Sequence, residues 1–259
     1  MGPDYNASVP RFKLTIEYAG TRYSGWQIQT NARTIQGEID RAIRSVTKRR
    51  DFELYGSGRT DAGVHALGQI AHLDVSTNLG EDPLRQRLND ELPADINILA
   101  LERVPHRFHA RHDAVGRRYV YQISRRRTAF AKPFVWWIKE PLALSPMRAV
   151  AGALVGMRDF GRFAERDDDD TDPKSMVVLV ERLDILEEGA LVVVVVEGSH
   201  FLWKMVRRIV GSLVEVGRGR TMPDDPARFT APSSGLFLDR VFYAGDRREL
   251  PPRIATPMA

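Results

Sequence analysis

The segment Gly56-Ser57-Gly58-Arg59-Thr60-Asp61-Ala62-Gly63-Val64-His65 carries the residues best suited to chemistry. Three glycines within eight residues imply a tight loop whose backbone is closely approached by another group. A phosphate-binding loop is the first reading to test, and it fails. No Gly-Lys-Ser/Thr closes the segment, and its spacing is not that of a dinucleotide fingerprint. What remains is a carboxylate, Asp61, on a glycine-framed loop beside a cation, Arg59. A carboxylate so placed can serve as a nucleophile. It can also simply shape a turn, the ordinary use of Asp in loops.

A second concentration of chemistry is basic. Net charge is only +4, yet Arg103, Arg107, Arg111, Arg117, Arg118, Arg125, Arg126 and Arg127 fall within one short stretch. Guanidinium forks suit phosphate, and the interleaved Phe108, Tyr119 and Tyr121 offer rings on which unpaired bases can stack. The competing use is a solvated, salt-bridged face. The chain contains no cysteine, which excludes disulfides, thiolate metal sites and cysteine nucleophiles and fits a reducing cytoplasm. Residues Met1 to Pro10 lack a secretory pattern, and no apolar run approaches the roughly 20 residues that span a bilayer. His65 and His72 have no partner at metal-ligand spacing and read as packing residues. The run Asp167 to Asp170 reads as a mobile loop; a carboxylate metal site there would need a defined cage of about six oxygens.

The elements that must position these groups follow from periodicity. Phe12, Leu14, Ile16 and Tyr18 alternate with polar residues, predicting an opening strand with one buried face. Thr34 can cap a helix whose apolar positions Ile35, Ile39, Ala42, Ile43 and Val46 recur at helical spacing. Leu54 to Gly68 is too glycine-rich to be regular throughout; Ile70 to Val75 reads as a strand and Pro83 to Asn89 as a helix. The pattern breaks at Pro105 to Asp113, where a domain junction is expected, and Arg118 to Ser124 resumes as an alternating strand. Met147 to Val155 and Phe201 to Val216 read as helices, and the β-branched run Leu191 to Val196 as a strand covered on both faces. The mixed order favours an α+β fold: two strand-helix-strand domains, residues 1–112 and 113–259, with mostly antiparallel sheets flanked by helices.

The Gly56 to His65 segment resembles the catalytic motif of the TruA family of tRNA pseudouridine synthases, in which the aspartate after Arg-Thr is the nucleophile. Other segments match that family in the same order. They are Gly25-Trp26-Gln27 with Thr34-Ile35-Gln36-Gly37, Leu92-Pro93 with Asp95-Ile96, and Phe108-His109-Ala110-Arg111 through Arg118-Tyr119-Val120-Tyr121. Phe201 to Gly211 resembles the third motif, and Thr230-Ala231-Pro232 with Gly235-Leu236 the C-terminal one. The loop at Gly161-Arg162-Phe163 and the segment Ser175-Met176-Val177 depart from the usual family pattern.

The resemblance implies two ferredoxin-like halves and isomerisation of uridine to pseudouridine in the anticodon arm of tRNA, at positions 38, 39 and 40, by a homodimer. Asp61 would be the nucleophile, Arg207 its partner, and Tyr119 the aromatic that covers the target base. Arg59, Arg111, Arg118 and Leu236 would contact substrate. The glycosidic bond breaks, uracil turns, and C5 bonds to C1′ before its proton leaves, so no redox step or external group enters and no cofactor is expected. Two other classes compete: a non-catalytic RNA-binding or RNA-chaperone module of the same fold, and an RNA N-glycosylase that would use the same aspartate and release free uracil.

Overall fold

The computed structural model describes residues 9–165, 175–256 and 258; the Asp167 to Asp170 run lies outside them. The fold is α+β, as expected, with mostly antiparallel strands and four α-helices among the described residues. The chain divides into two compact units, one of residues 1–114 with 240–246, the other of residues 115–239 with 247–259.

In the first unit the order is β1 (Arg11–Tyr18), α1 (Ile35–Thr47), β2 (Glu53–Gly56), β3 (His65–Asp74), α2 (Glu81–Glu91) and β4 (Ile96–Val104). The strands lie β4-β1-β3-β2 and every pairing is antiparallel. This βαββαβ arrangement is ferredoxin-like. On β1 the predicted face is buried, Phe12, Leu14, Ile16 and Tyr18 pointing inward and their polar neighbours half-exposed. The Thr34 hydroxyl accepts the Gly37 N–H at 3.2 Å and so caps α1, whose buried stripe is Ile35, Ile39, Ala42 and Ile43. Regular structure reaches further into the glycine-rich stretch than its composition suggests, because β2 and the start of β3 flank it and only residues 57–64 form the loop.

The second unit runs β5 (Ala114–Ser124), β6 (Trp136–Trp137), α3 (Leu144–Leu154), β7 (Gly156–Asp159), β8 (Val177–Glu188), β9 (Leu191–Gly198), α4 (Met205–Gly217) and β10 (Leu236–Tyr243). Residue Ala114 and the end of β10 belong to the first unit. Its strands lie β10-β5-β9-β8-β7, so β5, α3, β8, β9, α4 and β10 repeat the ferredoxin-like order. The aliphatic run on β9 is buried along its whole length between β5 and β8, as its composition predicts. α4 starts at Met205 rather than Phe201, because Lys204 adopts a left-handed conformation (φ 59°) that ends the preceding turn.

One expectation for this unit needs correction. Arg118 is not a surface cation: it is fully buried, with Nε donating to Glu197 Oε2 at 2.8 Å and Nη1 to the Leu250 carbonyl at 2.7 Å, while Nη1 lies 3.7 Å from Asp239 Oδ2. Its charge is consumed in balancing two buried carboxylates, so it cannot serve as an RNA contact. Arg208 on α4 is also buried, and its guanidinium donates to the Ala164 carbonyl and to Glu165.

Removing Arg118 leaves Glu197 and Asp239 without their shared cation. Arg118→Ala is expected to lower the unfolding free energy by about 3–5 kcal/mol. Urea denaturation followed by circular dichroism checks this, and an unchanged midpoint would mean the buried ion cluster contributes nothing.

Candidate active site

Asp61 sits half-exposed on the loop joining β2 to β3, and the loop is held at both flanks. On one side Ser57 N–H donates to the Ile70 carbonyl at 2.7 Å and its hydroxyl to Gln69 Oε1 at 2.7 Å, while Gln69 Nε2 donates to the Gly58 carbonyl at 3.0 Å. On the other, the segment after β1 lies directly against the loop. Trp26 N–H donates to the Thr60 carbonyl at 3.0 Å, Gly63 N–H to the Tyr23 carbonyl at 3.2 Å, and Tyr18 and Thr60 share a buried hydroxyl–hydroxyl bond of 2.8 Å. Asp61 itself closes a turn through its carbonyl, which accepts the Val64 N–H at 3.1 Å. The Asp61 backbone therefore shapes a turn, and the residue itself is half-exposed.

Glycines make this approach possible. Gly25 has φ +94°, and a Cβ there would lie 2.6 Å from the Thr60 carbonyl oxygen; a Cβ on Gly20 would lie 1.9 Å from that of Val64. Both distances are shorter than any real contact, so the two backbones pack without a side chain between them. Within the motif itself, Gly56 abuts the Trp26 indole and Gly63 adopts φ +76°. Gly58 is different: a Cβ there would meet nothing, because it faces a pocket.

That pocket lies within the first unit and is lined by Trp26, Gln27, Gln36, Tyr55, Gly56, Gly58, Arg59 and Arg111. Two arginines and two aromatic rings around a small groove are groups of the kind that pair with phosphate and stack on bases. Sequence reasoning singled out Arg59 and Arg111 but missed Tyr55. Its signal was the alternation on β2, where Glu53 and Tyr55 face outward and Leu54 inward. Gln36 stood in the Thr34-Ile35-Gln36-Gly37 motif but was given no site role; its amide bridges Ile28 N–H and the Leu54 carbonyl.

The other predicted site residues belong to the second unit. Tyr119 is half-buried on β5, edge-on to Phe201 with ring centres 5.3 Å apart. Arg207 is half-buried on α4 and its Nε donates to the Ala231 carbonyl at 2.7 Å, which ties it to the C-terminal motif. Leu236 is buried at the start of β10 as a core leucine. Tyr121, grouped above with aromatics open to bases, is fully buried, and its hydroxyl donates to the Pro232 carbonyl at 2.7 Å. Burial pushes its phenol pKa well up, with the nearby Arg207 cation opposing. His65 is a packing residue whose Nδ1 accepts the Gly20 N–H at 3.0 Å, and the His72 ring is buried as well.

Residues 14–113 and 150–243 match the family model for tRNA pseudouridine synthases. The chain belongs to this family. It is therefore an isomerase acting on uridine in tRNA. It is 40% identical over 251 residues to tRNA pseudouridine synthase A of Nitrobacter winogradskyi, covering 92% of this chain and 97% of that protein. It is 37% identical over 246 residues to tRNA pseudouridine synthase A 2 of Clostridium tetani, covering 89% and 98%. The family match spans the Asp61 loop and the segment that clamps it.

Gly25→Ala tests the clamp in this synthase. The added methyl must push Thr60 away and also strains a left-handed backbone, so a loss of about 1–3 kcal/mol in stability is expected. A fall of at least about tenfold in kcat should accompany it, because loop displacement of even an ångström misplaces a catalytic group. Tritium release from C5-labelled tRNA beside a thermal melt measures both, and a variant with normal kcat would show that the clamp does not position Asp61.

Proposed function

We propose that this chain converts uridine to pseudouridine in the anticodon arm of tRNA, at positions 38, 39 and 40, with Asp61 as the nucleophile. Tyr119 and Arg207 contribute the aromatic and the cation carried by the second and third family motifs, and Arg59 and Arg111 hold the RNA at the pocket beside the loop. The observation that carries the reading is the Asp61 loop itself, clamped by bonds from Trp26 and to Tyr23 and opening beside a groove with two arginines. A binding module would not need a carboxylate held so firmly. A covalent step does, because its rate depends on the reacting atoms being held in line.

The reaction is an internal exchange of a C–N for a C–C glycosidic bond, and no cofactor has a part in it. The base must leave its stack, at a cost of a few kcal/mol that stacking on an aromatic such as Tyr119 partly offsets. We further propose a homodimer working in the cytoplasm. No described helix is long and apolar enough to cross a membrane.

Unmodified tRNA incubated with the purified protein decides the reaction class. Pseudouridine at positions 38 to 40 with no free uracil is expected; free uracil would mean glycosylase chemistry, and binding without either product a non-catalytic module. Tyr119 is tested by a pair of substitutions. Tyr119→Phe keeps the ring and loses any proton transfer by the hydroxyl, whereas Tyr119→Leu loses both, so the single-turnover rate should fall further in the second. Near-normal rates in both would return Tyr119 to a purely structural role on β5.

A further inference from the structure

Three successive backbone N–H groups at the edge of the pocket donate to imidazole nitrogens. Ala110 N–H donates to His72 Nδ1 at 3.1 Å, and Arg111 and His112 N–H both donate to His109 Nδ1, at 3.1 and 3.2 Å. The turn is completed by His109 N–H donating to Asp113 Oδ2 at 2.8 Å and by Tyr243 Oη donating to the Ala110 carbonyl at 2.7 Å. At its exposed point stands Arg111, a wall of the pocket. Tyr55, on the same wall, stacks on His72 with ring centres 5.8 Å apart and meets His109 edge-on at 5.0 Å. One aromatic ring thus touches the groove and both histidines.

An imidazole accepts a hydrogen bond only through an unprotonated nitrogen, so all three bonds require neutral rings with the proton on Nε2. We propose that His72 and His109 are positioning residues that, as neutral acceptors, fix the Arg111 turn against the pocket and so set affinity for the tRNA backbone rather than the rate of bond exchange. This rests on the pocket beside Asp61 being the RNA-binding groove, as read above. Protonating either ring places an N–H against the backbone N–H it now accepts, and the turn must open.

The surroundings hold both rings neutral. His72 faces Arg11, His106, His109 and Asp74; burial first and Arg11 next push its pKa down to about 4. His109 faces His112, Arg11, Asp113 and Glu53, and burial followed by the neighbouring His112 and Arg11 lowers it from the usual histidine range. Arg11 is itself fixed beneath the turn, paired with Asp74 and donating to the His106 and Phe108 carbonyls at 2.6 and 2.7 Å. The cluster is not a metal site, for no metal-binding group of His, Asp or Glu occurs among the described residues. With folded-state pKa values below the unfolded ones, the unfolded chain takes up protons first. Stability therefore begins to fall below about pH 6.5, whereas the turn of the folded chain holds until its own rings titrate, for His72 near pH 4.

The test measures the Kd for unmodified tRNA from pH 7.5 to 4.0 at fixed salt, with KM and kcat from tritium release at pH 7.5, in wild type, His109→Ala, His109→Asn, Arg111→Ala and the His109→Ala/Arg111→Ala double variant. His109→Ala should weaken binding about tenfold, with the loss in KM rather than kcat. His109→Asn keeps an acceptor oxygen that does not titrate, so it should bind within about twofold of wild type and lose most of the acid-induced weakening. The double variant should bind no more weakly than Arg111→Ala, because the histidine acts through the arginine. Multiplying losses in the double variant, a His109→Asn as weak as His109→Ala, or a loss confined to kcat would overturn the proposal. Should His109→Ala fail to fold, the pH series on wild type and His109→Asn decides alone, and a wild-type Kd flat to pH 4.0 in the folded protein would refute the idea. A chain that binds as described yet makes no pseudouridine would sink the functional reading and leave the positioning of Arg111 standing.

Discussion

The contact between two backbones, residues 20–26 and residues 58–64, is the constraint on which the first unit's chemistry depends. Gly20 and Gly25 let the segment after β1 lie against the Asp61 loop with no side chain between, and three hydrogen bonds from Trp26, to Tyr23 and between Tyr18 and Thr60 hold it there. The same segment leads into α1, since Ile35 and Gln36 N–H donate to the carbonyls of Gly25 and Trp26. Sheet, loop and helix are thereby tied into one rigid body around Asp61. The nucleophile role proposed for Asp61 needs that rigidity, because loop freedom would have to be lost again at every turnover.

The second unit relies on a different device. Its C-terminal residues are anchored by charge: Arg118 binds the carbonyls of Arg248 and Leu250 as well as Glu197, and Arg253 donates to Asp239 at 2.6 Å. Such a cluster is intolerant of losing one member, since each removal strands an opposite charge in the interior. Histidine does related work in the first unit, where neutral rings take over the acceptor role that carbonyls fill elsewhere and make the Arg111 turn sensitive to acid.

Much of this was legible in the sequence where one physical rule acted alone. Alternation on β1, the Thr34 cap and the β-branched run on β9 each have a single local cause, and each element stands where that cause puts it. The glycine-framed loop was legible for the same reason, although the partner of its close approach, residues 20–26, was not: that pairing joins segments more than thirty residues apart. Side-chain fates decided by tertiary packing were misread. Arg118 looked like any member of a basic run, yet it lies inside because Glu197 and Asp239 are inside. Tyr121 lies on the same face of its strand as Tyr119, two residues further along, where the Pro232 carbonyl of the C-terminal motif takes its hydroxyl. The histidine turn left no mark in spacing, because its acceptors come from β3 and from the turn itself.

The role of Asp61 is tested most directly by Asp61→Asn, measured by tritium release from C5-labelled uridine in tRNA alongside tRNA affinity and a thermal melt on the same preparation. The amide is nearly isosteric, and the Asp61 carbonyl that closes the turn is unchanged, so melting temperature and affinity should stay near normal. It cannot attack as a carboxylate does, so the rate should fall by many orders of magnitude. Residual activity within about tenfold of wild type, a barrier change of only about 1.4 kcal/mol, in a folded and tRNA-binding protein would contradict the assignment of Asp61 as nucleophile.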